Sequence, residues 1–127
     1  IALERAEKDW TQSLSDLGGE PVVVPAIVWA ELLIGVRLAH AVAVAAKRRA
    51  KLEKLRLRVS LVDFTAEIAE HYADIFSELR KAGRMIPQND VMVAATARWQ
   101  KFGVLVGQND EAHFRAVSDL RVEVLAG

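Results

Sequence analysis

Three acidic residues stand where they could hold a divalent metal ion: Glu31, Asp90 and Asp110, with Glu111 next to Asp110. They follow apolar segments typical of buried strands, or open an apolar helix. Carboxylate oxygens are hard ligands that suit Mg²⁺ or Mn²⁺. A metal held there would generate hydroxide from bound water and stabilise the charge that develops on a phosphate during hydrolysis. This chemistry needs no protein nucleophile, in agreement with a chain that has no cysteine and no convincing Ser–His–Asp arrangement.

Each acidic residue also has a simpler interpretation. Glu31 is the only charged residue from Pro21 through Val36 and would serve equally as a glutamate at a helix edge. Asp90 would serve as a helix N-cap, because Asn and Asp accept hydrogen bonds from the free amides there. Asp110 and Glu111 would serve as solvated loop residues. The joint position of Glu31, Asp90 and Asp110, each after a separate element of one sheet, favours the metal site.

The elements that must position these residues alternate between strands and helices. Apolar spacings of three and four residues, together with composition, predict helices over Ala2–Leu17, Ala26–Leu38, residues 40–58, Thr65 to Gly83, and Asn89 or Asp90 to Phe102. Short β-branched runs predict strands at Pro21–Pro25, Val59–Val62, Gly103–Val106 and Arg121–Leu125.

Strands that alternate with helices of this length imply right-handed crossovers and a mostly parallel sheet flanked by helices on both faces. In such sheets ligands bind beyond the carboxyl ends of the strands, where the acidic residues are expected. The 127 residues suit a single domain, 1–127, of the α/β class with three layers.

Composition narrows the possible classes of protein. Without cysteine, disulfides and thiolate zinc sites are excluded. The apolar runs are far shorter than the roughly 20 residues that cross a bilayer, and no secretory signal is visible. These features fit a cytoplasmic location. The formal net charge is zero, so that any electrostatic argument for a partner must be local.

Two further features carry weaker signals. The segment from Lys47 to Arg58 contains seven basic residues and a single acidic one, Glu53, and would either gather backbone phosphates or form a solvated helix face. His113 lies close after Asp110, but we expect it to pack beside Phe114 rather than contact a metal or phosphate. Glu111 is a candidate auxiliary ligand.

Three segments together resemble one known family. PAIVWAELLIGV (25–36), IPQNDVMVAATA (86–97) and NDEAHF (109–114) followed by LRVEVL occur in the order seen in VapC-like PIN-domain toxins. The resemblance implies a PIN-like fold and a metal-dependent endoribonuclease in which Glu31, Asp90 and Asp110 are three of four acidic residues that bind Mg²⁺ or Mn²⁺, with Asn89 as a companion of Asp90. It also implies an RNA substrate, a VapB-like antitoxin partner, and a homodimer or toxin–antitoxin hetero-oligomer.

The chain departs from the family pattern at two places. Gln108 stands where the family often has a hydroxyl residue, two positions before the last aspartate. The family also opens with a strand that ends in an aspartate, whereas the start of this chain resembles the helix that follows. We therefore expect the N-terminal strand, central in the sheet, and its aspartate to be missing, and the chain as given to be a poor nuclease.

Two other functions stay open. A non-catalytic PIN-like module would use the acidic edge and the apolar helices only to bind a protein or nucleic acid, and a missing carboxylate would favour it. An acidic α/β phosphatase is disfavoured, because no aspartate nucleophile motif is present. The sequence does not identify the RNA target, the number of metals or the size of the oligomer.

Overall fold

A computed structural model describes residues 2–3, 22–106 and 108–124 of the chain. The described strands are β1 (Ala2–Leu3), β2 (Val23–Pro25), β3 (Ser60–Val62), β4 (Val104–Val106) and β5 (Val122–Val124). The described helices are α1 (Ala26–Arg37), α2 (Val42–Arg56), α3 (Ala66–Lys81), α4 (Gln88–Gln100) and α5 (Glu111–Arg115), with a 3₁₀ turn at Gln108–Asp110 before α5. None of these helices is both long and apolar enough to span a membrane.

The strands form one sheet in the order β3-β2-β1-β4-β5. Every neighbouring pair is parallel, with Ala2 aligned with both Val23 and Val104. Parallel neighbours require a crossover between them, and helices supply these connections. The predicted α/β architecture with a parallel sheet is therefore confirmed.

The expectations for the N-terminus need correction. Ala2 and Leu3 were predicted to begin a helix, and the sheet was predicted to lack its central strand. In the structure these two residues are strand β1, and β1 occupies the central position between β2 and β4. Hydrogen bonding to both neighbouring strands outweighs the helical spacing of the apolar residues. The rest of the predicted helix, to Leu17, lies outside the described residues.

The other predicted elements agree with the structure to within a few residues, and local signals explain their ends. The Thr65 side chain accepts a hydrogen bond from the Ile68 amide, so it caps α3. Gly83 follows α3 with a φ of 67°, the left-handed conformation that glycine adopts without steric cost.

Helix α4 lies at the centre of the molecule. It packs against β1, β2 and β4 and against helices α1, α3 and α5. A helix surrounded in this way must be apolar on nearly all sides, and α4 is: its fully or almost fully buried apolar residues are Val91, Val93, Ala94, Ala95 and Ala97. The first turn of α4 is therefore held rigidly near the carboxyl ends of the neighbouring strands.

The turn before β4 leaves no room for a side chain at Gly103. A Cβ built on Gly103 would lie 2.9 Å from the backbone oxygen of Arg121 and 2.7 Å from its Nε. We expect Gly103→Ala to lower the free energy of unfolding by about 1–3 kcal/mol, because the backbone before β4 and β5 must shift. Chemical denaturation measures this change.

Gly35 offers the matched control, because a Cβ there meets no atom within 4 Å and the residue lies inside α1. Gly35→Ala should raise the stability by about 0.5–1 kcal/mol through helix propensity. Equal effects of the two substitutions would contradict the close approach of Gly103 to Arg121.

Candidate metal centre

The acidic residues predicted from sequence lie after strands that are close together in the sheet. Glu31 is on α1, which directly follows β2, and Asp110 ends the 3₁₀ turn after β4. Asp90 is in the first turn of α4, the helix that packs across β1, β2 and β4. The candidate site is therefore built at the carboxyl ends of the central strands.

Asp90 is the most constrained of these residues. Only 4% of its surface is exposed, although it carries a carboxylate. A buried carboxylate is costly unless it is hydrogen-bonded or paired. The Nδ1 atom of His113 lies 2.8 Å from its Oδ2, and the free amides of the first turn of α4 favour negative charge.

The N-cap interpretation of this position is wrong. Pro87 occupies the N-cap position of α4, and no side chain makes a capping hydrogen bond there. Neither Asn89 nor Asp90 therefore serves as the cap, because the helix already begins at Gln88. The Asp90 side chain instead contacts His113 on α5, across the tertiary structure.

Asp90, Asp110 and His113 form a compact group. One potential ligand atom from each residue lies within 4.8 Å of the other two. The Nδ1 atom of His113 is 3.7 Å from Asp110 Oδ1, and the Asp110 side chain is only 13% exposed. Two carboxylates and an imidazole at this spacing fit the donor set of a divalent ion, whose bonds to oxygen or nitrogen are about 2.0–2.2 Å long.

The expectation for His113 was wrong. Its ring lies against the two carboxylates, while the adjacent Phe114 is fully buried and fixes α5 in the core. A sequence signal was present, because His113 follows Asp110 by three residues and a helical turn places such residues on the same side. That spacing alone did not favour a site role for His113, because the sequence does not show that Asp90 lies beside the same ring.

Glu31 lies at the edge of this group. Its Oε1 accepts a hydrogen bond of 3.5 Å from the side-chain Nδ2 of Asn89, the residue directly before Asp90. Among the described residues, the compact group of potential ligands consists of Asp90, Asp110 and His113, and Glu31 is outside it. The structure thus joins Glu31 to the start of α4 through Asn89, and its role as a metal ligand stays a prediction.

Glu111 has a different partner. Its Oε2 accepts a hydrogen bond of 2.7 Å from Arg115 Nε, one helical turn further along α5. The compact group of potential metal ligands does not include it. Glu111 is therefore better suited to stabilising α5 than to acting as an auxiliary ligand.

The family follows from a comparison with known proteins. The model of the PIN domain family matches residues 1–120. The chain belongs to the PIN domain family. This confirms the resemblance predicted from the three sequence segments, and it covers the strands and helices that carry Glu31, Asp90 and Asp110.

Individual relatives agree with this assignment. The protein named Ribonuclease VapC2 from Haemophilus influenzae is 34% identical to this PIN domain over 74 residues. The match covers 58% of the chain and 54% of the relative, so the chain spans about half the length of the curated relatives it matches.

Solved structures share the fold. VapBC2 from Rickettsia felis, bound to a DNA fragment from its promoter, has a TM-score of 0.81 at 20% identity, with 99% of this chain and 100% of that chain covered. VapBC-5 from Mycobacterium tuberculosis has a TM-score of 0.78 at 23% identity, with 98% and 97% covered. At these identities the likeness concerns the fold.

Metal binding to this PIN domain should depend on Asp110. At Mn²⁺ one hundred times above its dissociation constant, we expect the free energy of unfolding to rise by about 2.7 kcal/mol, because the ion binds the folded state. Asp110→Asn should lose most of this gain. Thermal and chemical denaturation with Mn²⁺ or with chelator measure it.

Glu111→Gln is the control, since its carboxylate is the chain neighbour of Asp110 but contacts Arg115. It should keep the full response to Mn²⁺. A response that disappears in Glu111→Gln and persists in Asp110→Asn would show that the ion binds elsewhere.

Proposed function

We propose that this PIN domain is a divalent-metal-dependent endoribonuclease that acts as the toxin of a toxin–antitoxin pair. The observation that carries the proposal is the convergence of the buried Asp90 with Asp110 and His113, whose ligand atoms lie within 4.8 Å of one another. The convergence occurs beyond the carboxyl ends of a parallel sheet, where α/β proteins bind their ligands.

The relatives support both parts of the proposal. The Haemophilus influenzae relative is named as a ribonuclease, and the proteins of similar fold from Rickettsia felis and Mycobacterium tuberculosis were solved as VapBC complexes. The motif around Asp90 falls inside the segment that matches the PIN domain family. A ribonuclease held by a VapB-like antitoxin is the function that unites these observations.

The residues of this chain would hold the metal and keep it in place. When bound, Mg²⁺ or Mn²⁺ activates water for attack on the phosphodiester and neutralises charge as the bond breaks. Asp90 and Asp110 supply carboxylate oxygens from two rigid elements, and Glu31 binds directly or through water. Asn89 donates to Glu31 and holds its carboxylate near the start of α4.

The basic segment on α2 would bring RNA towards this acidic site. Lys47, Lys51 and Lys54 are exposed on α2, and α2 packs against α1, the helix that carries Glu31. Arg48 donates a hydrogen bond to the backbone oxygen of Gly35, and Arg49 forms an ion pair with Glu53. The exposed lysines therefore carry most of the proposed attraction for backbone phosphates.

The antitoxin would bind an apolar surface on α1 and α2. Large apolar side chains that are strongly exposed there are Ile34, Leu38, Val42 and Leu57. At the far end of α2 from Val42, Leu57 lines a cavity of about 340 Å³ together with Trp29 and Leu52. Exposed apolar patches mark protein-binding sites, and this surface fits an apolar segment of a partner protein.

RNA cleavage should require Asp90. With Mg²⁺ or Mn²⁺ we expect Asp90→Asn to lower the rate of RNA cleavage by at least about 100-fold, because one carboxylate charge at the metal is lost while the shape of the side chain is kept. A gel assay on single-stranded RNA, with chelator as a blank, measures the rate.

The control is Asp74→Asn, which removes the same charge from an exposed position on α3. This variant should cleave RNA at the rate of the unaltered protein. If the folded, metal-loaded and antitoxin-free protein does not cleave RNA, the proposal fails in favour of a non-catalytic binding module. Cleavage retained by Asp90→Asn would assign the activity to other residues.

Antitoxin binding should require the apolar surface. We expect Leu38→Asp to weaken the complex with the cognate antitoxin by at least about 30-fold, because the leucine is 78% exposed and would be buried only in the complex. Calorimetry with the purified antitoxin measures the affinity. Met85→Asp, at an apolar position between α3 and α4 that is 45% exposed, should bind normally, and a loss common to both variants would contradict this surface.

A further inference from the structure

His113 contributes a nitrogen atom to a site whose other potential ligand atoms are carboxylate oxygens. Its Nδ1 lies 2.8 Å from Asp90 Oδ2 and 3.7 Å from Asp110 Oδ1, and 38% of its side chain is exposed. The ring is therefore between the two carboxylates and still reaches the surface. This combination distinguishes it from a histidine packed into the core.

The distances fit three ligands around one ion. Ligands at right angles, with bonds of about 2.1 Å, are about 3 Å apart, and ligands on opposite sides are about 4.2 Å apart. The separations of 2.8 and 3.7 Å from Nδ1 are close to this range. A carboxylate oxygen of Asp90 and one of Asp110 also lie within 4.8 Å of each other, so the three residues surround a space that suits one ion.

We propose that His113 binds the metal through Nδ1 and thereby makes this centre select Mn²⁺ over Mg²⁺. Imidazole suits first-row transition ions, whereas Mg²⁺ favours oxygen ligands. The inference rests on the proposed metal centre but not on the substrate that the centre cleaves.

The proton balance of this step is simple. Without metal, a neutral imidazole that carries its proton on Nδ1 donates a hydrogen bond from Nδ1–H to Asp90 Oδ2 and keeps the proton. On binding, the neutral ring carries its proton on Nε2 instead, so that the Nδ1 lone pair faces the ion. The ring exchanges one tautomer for the other, and no net proton is gained or lost by His113.

The alternative is that His113 only orients Asp90 by a hydrogen bond. His113→Asn separates the two roles, because the asparagine amide can still donate a hydrogen bond to Asp90 but offers only an oxygen to a metal. A ligand role predicts a selective loss of Mn²⁺ affinity. An orienting role predicts little change, or equal losses for both ions.

The test is calorimetric titration of the full chain with Mn²⁺ and separately with Mg²⁺. We expect His113→Asn to weaken Mn²⁺ binding by at least about 10-fold, and Mg²⁺ binding by less than about 3-fold. His40→Asn, at an exposed position between α1 and α2, is the matched control and should leave both affinities unchanged. Equal losses for the two ions, or no loss for either, would overturn the proposal.

Pulsed electron paramagnetic resonance of bound Mn²⁺ gives a second readout that is independent of catalysis. Modulation from a ligand nitrogen should appear in the unaltered chain and in His40→Asn, and disappear in His113→Asn. Circular dichroism confirms that each variant is folded.

The outcomes also separate this inference from the proposed ribonuclease. Nitrogen-bound Mn²⁺ in a chain that cleaves no RNA would support the ligand role of His113 and contradict the function. RNA cleavage by a chain whose Mn²⁺ shows no nitrogen modulation would support the function and overturn the role of His113.

Discussion

The burial of the Asp90 carboxylate is the constraint on which the rest of the site depends. Helix α4 packs against three strands and three helices, so its first turn has no freedom to move Asp90 into solvent. A charge buried there is tolerated only with polar partners, and losing such a partner costs more than the pair contributes to stability. The hydrogen bond with His113 supplies such a partner, and the position in the first turn of α4 favours the negative charge.

This constraint explains why the candidate metal centre is rigid. Asp90 is held by a helix that is buried on nearly all sides, and His113 is held by α5, which Phe114 fixes in the core. Asp110 lies in the short turn between β4 and α5. A site built on such elements keeps its ligands near their binding positions before any metal arrives, which lowers the cost of binding.

The parallel sheet brings these distant parts of the chain together. Strands β2, β1 and β4 are neighbours, so the elements that follow β2 and β4 emerge at the same edge. Helix α1 has two roles in this arrangement. It carries Glu31 towards the start of α4 and exposes Ile34 on the surface proposed for a partner, which places the two sites on one helix.

Much of this architecture was predictable from local sequence. The β-branched run before Pro25, the apolar spacing after Thr65 and the left-handed Gly83 are signals that act within a few residues, and the structure agrees with them. Asp90 and Asp110 were also identifiable as candidates, because each lies beside an apolar element in a segment that resembles the family, and both segments fall within the residues matched by the PIN domain family.

Long-range contacts decided the features of the fold and of the site that local sequence did not predict. The pairing of Ala2 and Leu3 with strands about 20 and 100 residues away overrode a helical spacing, and no local rule reveals that pairing. His113 resembled a packing residue until the fold placed the Asp90 carboxylate 2.8 Å from its Nδ1. Sequence by itself determined most of the other elements and which carboxylates are available. The tertiary structure decided which of them meet, because distances between side chains on different elements depend on packing that periodicity does not encode.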